Sequence, residues 1–234
     1  MAQTLDHDLR KAITLSIAAV SVLWVIQSAG VLFSLPLNML GIMPLEPARL
    51  YGILTAPLVH GSYEHIFNNT LPLIVLGTAL WYGYPRSRWW VLASSWLVSG
   101  IGVWLFGREA VHLGASGVSH GLFFFLFTVS VIRRDARSVG LMMIAFFMYG
   151  GMIMTIFPRD PAISFEAHFF GAVGGVLAAV TLWRRDPKPV LKKYSWEGEE
   201  ELDDPLIGDL WKGSADNAET DKDSDAAQNS YRPK

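Results

Sequence analysis

The chain has 234 residues, of which 51% are apolar and 17% charged, and its formal net charge is −2. Low charge and several apolar runs long enough to cross about 30 Å of hydrocarbon set it apart from ordinary soluble domains. It contains no cysteine, which excludes disulfides, thiolate metal ligands and a cysteine nucleophile together.

The first apolar run, from Ala12 to about residue 34, is too long for a signal-peptide core and lacks a convincing cleavage site, so it reads as a retained span. The link 35–64 carries Pro36, Pro44, Pro47 and Pro57, a pattern that predicts a structured loop lying along the surface. Further apolar runs at 65–83, 89–106, 116–132, 139–157 and 163–183 are separated mostly by short links. The expected fold is therefore an all-α bundle of six membrane spans. The fourth is marginal in length and opens at Gly114-Ala115-Ser116-Gly117, which predicts entry part-way from one surface under the shelter of neighbouring protein. After residue 186 the composition turns to Glu, Asp, Lys, Ser and Asn, too polar to offset the entropy of ordering. A short N-terminus (1–11), a six-span core (12–185) and an acidic, disordered tail (186–234) follow, with the segment from Leu206 to Trp211 as a short docking candidate within the tail.

Lys and Arg collect in alternate links: Arg10 and Lys11 before the first span, Arg86 and Arg88 after the second, Arg133, Arg134 and Arg137 after the fourth, Arg184, Arg185 and Lys188 after the sixth. Because cytoplasmic loops are enriched in these residues, both termini are expected in the cytoplasm, and spans two, four and six begin at the outer surface. His65 and Asn69 then open span two, Ser116 opens span four, and His168 lies one or two turns inside span six, all at similar depth.

Polar side chains in hydrocarbon are costly without partners, so such a convergence is a functional hypothesis by default. A serine hydroxyl is a poor nucleophile until a base takes its proton, and imidazole suits that task near neutral pH. No Asp or Glu lies well inside a span, which points to a Ser-His dyad without a third carboxylate. An oxyanion formed on attack needs donors in a low-dielectric site, and His65, the Asn69 amide and the Ser116 backbone N–H are candidates.

These residues resemble the rhomboid family of intramembrane serine proteases. The matching motifs are His60-Gly-Ser-Tyr-Glu-His65-Ile-Phe-Asn-Asn69, Gly114-Ala-Ser116-Gly117, and Ala167-His168-Phe-Phe-Gly171 with Gly175. The resemblance covers about residues 12–185 and implies Ser116 as nucleophile, His168 as base and then acid, and His65 with Asn69 as oxyanion donors. It also implies cleavage of other membrane proteins within or beside a transmembrane helix. Two departures stand out. The family's Trp-Arg pair in the first loop is matched only by Ala48-Arg49, and His120 occupies the place, four after the nucleophile, where many relatives stack an aromatic ring on the catalytic histidine. His120 is accordingly assigned either to support of the dyad or to packing.

Gly171 and Gly175 form a small-residue stripe suited to close helix packing. Five of the six histidines (His60, His65, His112, His120 and His168) fall toward the outer side, but without a carboxylate or cysteine cluster no metal site is expected, and no cofactor. His60 is expected to bond backbone in the first loop and His112 to lie in a loop near the site's mouth. The expected protein is a multi-pass protease of a bacterial cytoplasmic membrane, with single-span membrane proteins and the lipid bilayer, not nucleic acid, as its partners. Its rivals are a catalytically silent rhomboid-like protein that binds transmembrane helices and a small transporter; the latter would be expected to carry intramembrane charges.

Overall fold

A computed structural model describes residues 2–160 and 163–189, with the backbone alone for 2–7. The acidic tail from 190 onward, with its Leu206 to Trp211 segment, lies outside the described residues.

The first apolar run folds as α1 (Ala2–Leu32), which extends back through the residues expected as a separate N-terminus. The proline-bearing link is built rather than loose. It contains 3-10 turns at Leu37–Leu40, Pro47–Arg49 and Ala56–Leu58 and a single-turn helix α2 (Gly52–Thr55). Pro47 and Pro57 sit at first or second positions of their turns, where no N–H is needed. The link is tied down by polar groups: Tyr51 donates to the Met39 carbonyl at 2.9 Å and Thr55 to that of Leu40 at 2.6 Å. Leu45 N–H donates to the Trp104 carbonyl at 2.9 Å, and the Trp104 indole to that of Glu46 at 3.3 Å. Arg49 stays in this loop, its guanidinium 3.3 Å from Met39 Sδ.

The remaining elements are α3 (Tyr63–Gly83), α4 (Arg88–Phe106), α5 (Ser116–Arg133), α6 (Ala136–Tyr149), continued by a 3-10 segment Gly150–Ile156, and α7 (Phe165–Leu182). Among the described residues, five helices are long and apolar enough to cross a membrane: Asp8–Leu32, Arg88–Phe106, Ser116–Arg133, Ala136–Ile156 and Phe165–Leu182. The sequence predicts six. The difference is α3, which has 21 residues but carries Glu64, His65, Asn68, Asn69 and Thr70 in its first half. These are the polar groups that a site would need, and they dilute the helix's apolar character. Both α5 and α7 have 18 residues, about 27 Å of helix, so α5 is no shorter than its partner.

Helix α5 is the centre of the bundle, with 67% of its span buried, against 6% for the outward-facing α6 span. It packs most extensively on α7, backbone to backbone. A Cβ on Gly171 would run into the Gly117 carbonyl, and one on Gly175 into the Gly121 carbonyl; without side chains the two helices approach closely. Helix α4 joins this contact: Ser99 and Ser94 donate to the Ala167 and Gly174 carbonyls of α7 at 2.9 and 2.8 Å. Below this polar end lies an apolar core of Leu76 and Leu80 from α3, Tyr84 just past its end, Leu122, Phe125, Leu126 and Val129 from α5, and Ala178 and Ala179 from α7.

The far end of the bundle is closed by a buried cation. Arg133, which the sequence offers only as a marker of orientation, donates to the carbonyls of Trp183 and Asp186 at 2.9 and 2.8 Å and to Asp135 at 2.8 Å. A guanidinium presents five donors in a fixed fork, and here they gather the last carbonyls after α7. Asp186, in turn, accepts from Arg86 N–H at 2.7 Å, so the first residue of the expected tail is bonded to the bundle. Burial raises the Asp135 carboxyl, but the Ser138 N–H and hydroxyl and the Arg133 guanidinium outweigh it and hold it below the usual carboxylate value.

Candidate active site

The turn that presents Ser116 is assembled from three strands of chain. His112 and Ile42 exchange backbone hydrogen bonds at 2.9 and 2.8 Å, Gly114 N–H donates to the Ala56 carbonyl at 2.9 Å, and Ala115 N–H donates to His60 Nε2 at 3.4 Å. Gly114 has φ +108, a backbone conformation open to glycine alone among ordinary residues. A Cβ there would also lie 2.6 Å from the His65 ring. Helix α5 starts at Ser116, and its first closed amide is that of Ser119, bonded to Ala115 O at 3.1 Å. Among the described residues the amides of Ser116, Gly117 and Val118 therefore have no partner, as is usual at a helix N-terminus.

Ser116 Oγ lies 2.9 Å from His168 Nε2, and His168 Nδ1 lies 3.0 Å from the Thr155 carbonyl. A carbonyl only accepts, so Nδ1 carries the proton and Nε2 presents its lone pair to the serine hydroxyl. That is the tautomer a general base needs. His168 is buried, and among the described residues no carboxylate bonds its ring. Glu166, in the first turn of α7 and also buried, instead accepts from Arg108 N–H at 3.2 Å.

His120 stacks on His168 with ring centroids 3.8 Å apart and planes 10° from parallel. Its Nδ1 lies 2.7 Å from the Ser116 carbonyl and its Nε2 2.7 Å from the Thr155 hydroxyl. His65 and Asn69 reach the serine less directly. The His65 ring fills the space beside Gly114 and meets His60 edge-on at 5.0 Å. Asn69 is buried and donates one amide proton to the His65 carbonyl at 3.0 Å; its second proton has no partner among the described residues. Gly171 and Gly175 lie farther along α7 from His168, against α5.

Three other residues matter that the sequence reading either missed or placed differently. Thr155 is contacted by both imidazoles and was not singled out. His112 is more than a loop residue: Nδ1 meets Ser164 Oγ at 2.6 Å and Nε2 the Arg108 carbonyl at 3.0 Å, which couples the Ser116 turn to the residue capping α7. His60 bonds backbone, but that of Ala115, beside the serine, rather than that of its own loop.

His60 also supplies a pH prediction. Burial first, and then the neighbouring His65, push its imidazole down from 6.5 to about 4. The folded state favours the neutral ring, so this stabilisation is fully present above 6.5 and is lost as pH falls toward 4. Thermal midpoints in detergent should fall over that window, and His60→Asn should flatten the fall. Equal slopes for the two proteins would count against this assignment.

The Rhomboid domain matches residues 47–185, more than half of the chain, including every residue that contacts Ser116 or His168 above but not Ile42. The chain is 31% identical over 172 residues to the uncharacterized protein Rv1337 of Mycobacterium tuberculosis, covering 70% of this chain and 72% of that protein. The same identity and coverage hold for the uncharacterized protein Mb1372 of Mycobacterium bovis. With the uncharacterized protein ML1171 of Mycobacterium leprae the identity is 34% over 152 residues, 61% of this chain and 60% of that one. An all-helical membrane protein whose domain match runs through every motif named above, the chain belongs to the rhomboid family.

Proposed function

We propose that the chain is an intramembrane serine endopeptidase that cleaves transmembrane-helix substrates with a Ser116-His168 dyad and needs no cofactor. The observation that carries this reading is the 2.9 Å contact of Ser116 Oγ with His168 Nε2 while a carbonyl occupies Nδ1. As Oγ attacks the scissile carbonyl, its proton passes to Nε2. The imidazolium then returns that proton to the departing amine, and a water, deprotonated by the same nitrogen, releases the acyl group. Charge on the tetrahedral oxygen is met by the Ser116 N–H at the start of α5, by His65 and by the second amide proton of Asn69. His120 supports the dyad by stacking, and Gly171 and Gly175 let α7 bring His168 up to Ser116.

In this reading the bundle has six spans, with α3 as the second and α5 as the fourth, entering from the outer side. Residues 12–185 are the protease core, and both termini and the acidic tail lie in the cytoplasm of a bacterium, the spans crossing its cytoplasmic membrane. Substrates are single-span membrane proteins. A regular helix hides its scissile carbonyls in its own hydrogen bonds, so a substrate must unwind locally, most cheaply at Gly or Pro.

Purified protein in proteoliposomes, incubated with a panel of single-span substrates, tests this. Cleavage near the outer end of the substrate helix, after Ala or another small residue, is expected. Replacing nearby Gly or Pro by Leu should slow it. Equal rates across such a series would remove unwinding as the selective step, and no cleavage or fluorophosphonate labelling by folded protein would favour a silent helix-binding protein.

A further inference from the structure

We infer that Thr155 is a positioning residue that sets the tautomer of His168 through its carbonyl and keeps His120 neutral through its hydroxyl, an inference that rests on the dyad reading and deepens it. Thr155 belongs to neither helix that carries them: it lies in the 3-10 segment Gly150–Ile156 that links α6 to α7. Its carbonyl holds His168 Nδ1 at 3.0 Å and its hydroxyl lies 2.7 Å from His120 Nε2.

The direction of the second bond follows from the first contact of His120. Its Nδ1 lies 2.7 Å from the Ser116 carbonyl, which can only accept, so that nitrogen bears a proton. At 2.7 Å a proton must also lie between Nε2 and the Thr155 oxygen. If it belonged to Nε2, His120 would be a cation. Its ring is buried and 3.8 Å from His168, and like charges so placed are strongly disfavoured. The hydroxyl's one proton therefore goes to Nε2, in competition with the Met152 carbonyl at 2.9 Å, to which it can donate instead. The groups facing His120 are thus the Ser116 and Met152 carbonyls, the Thr155 hydroxyl and the His168 ring; the charged residue on α7, Glu166, is engaged by Arg108.

This matters at the moment of reaction. When His168 takes the Ser116 proton, it becomes a cation face to face with His120, and only one positive charge is tolerable in the stack. A hydroxyl donor at Nε2 keeps His120 neutral and leaves that charge to His168. The same residue, through its carbonyl, keeps the base nitrogen of His168 turned toward the serine.

Thr155→Val removes the hydroxyl and leaves the carbonyl. It should lower kcat about 10-fold, the loss expected for one buried hydrogen bond, with KM changed by less than about twofold. Thr155→Ser, which keeps the donor, should restore most of the activity. Imidazole 15N spectra of the full-length protein in bilayers should show His120 Nε2 as an unprotonated nitrogen accepting a hydrogen bond in the wild type and with that hydrogen-bond shift lost in the valine variant, a signature that a merely structural role would not give. Fluorophosphonate labelling rates, which need no peptide substrate, should follow kcat. If the valine variant fails to assemble, Thr155→Ala is read by the same two measurements. Wild-type labelling and an unchanged His120 Nε2 signal in Thr155→Val, or a serine variant as slow as the valine one, would overturn the inference. If Ser116→Ala still labels like the wild type, the dyad reading itself falls; if it is silent while Thr155→Val matches wild type, only the role of Thr155 falls.

Discussion

Ser116→Ala and His168→Ala should each lower turnover of a cleaved single-span substrate by about 10⁴-fold or more, and the double variant should lose no more than either one. The reason is the shared proton between Oγ and Nε2, held at 2.9 Å. Without the imidazole the hydroxyl keeps its proton, and without the hydroxyl the base has nothing to activate except water. Neither substitution should unfold the bundle. Its closeness depends on glycine contacts between α5 and α7, on the Ser99 and Ser94 bonds to α7, and on the Arg133 clamp at the other end. Thermal midpoints near wild type alongside lost cleavage would separate a chemical loss from a structural one. Wild-type turnover in Ser116→Ala would sink the dyad.

The dyad is legible in the sequence because the cost of polar groups in hydrocarbon makes them conspicuous, and because alternating Lys and Arg order the spans. Ser116 and His168, far apart along the chain, then fall at one depth, and the small stripe of Gly171 and Gly175 supplies the close packing that lets them meet. Other features are illegible for identifiable physical reasons. Thr155 stands in an apolar run and acts half through its main chain, and main-chain acceptors carry no residue signature. Its hydroxyl also has the ordinary alternative of bonding its own helix, as the Met152 contact illustrates. Arg133 looks like any other cytoplasmic arginine, and only the fold reveals that its fork closes the end of α7. In α3 the polar residues of the first half, with the His65 ring beside Gly114, lower its hydropathy, so composition does not mark this helix as a span.

Removal of the proposed oxyanion donors should cost less than loss of the proposed dyad and should be graded. His65→Ala or Asn69→Ala alone is expected to lower kcat by up to about 10²-fold, the scale for one donor aimed at a developing oxyanion. The Ser116 N–H, at the unpaired start of α5, remains in either variant and limits the loss. The two positions are coupled. Asn69 is anchored through one amide proton to the His65 carbonyl, and that bond survives truncation of the His65 side chain. His65→Ala, by contrast, empties the space beside Gly114 that holds the turn's geometry, so it should slow fluorophosphonate labelling more than Asn69→Ala does. KM should change little in either case, because donors that meet charge only as it forms contribute to the transition state and not to the bound substrate. Unchanged turnover in the double variant His65→Ala plus Asn69→Ala would remove both residues from the mechanism and leave the amides at the start of α5 as the sole stabilisers of the oxyanion.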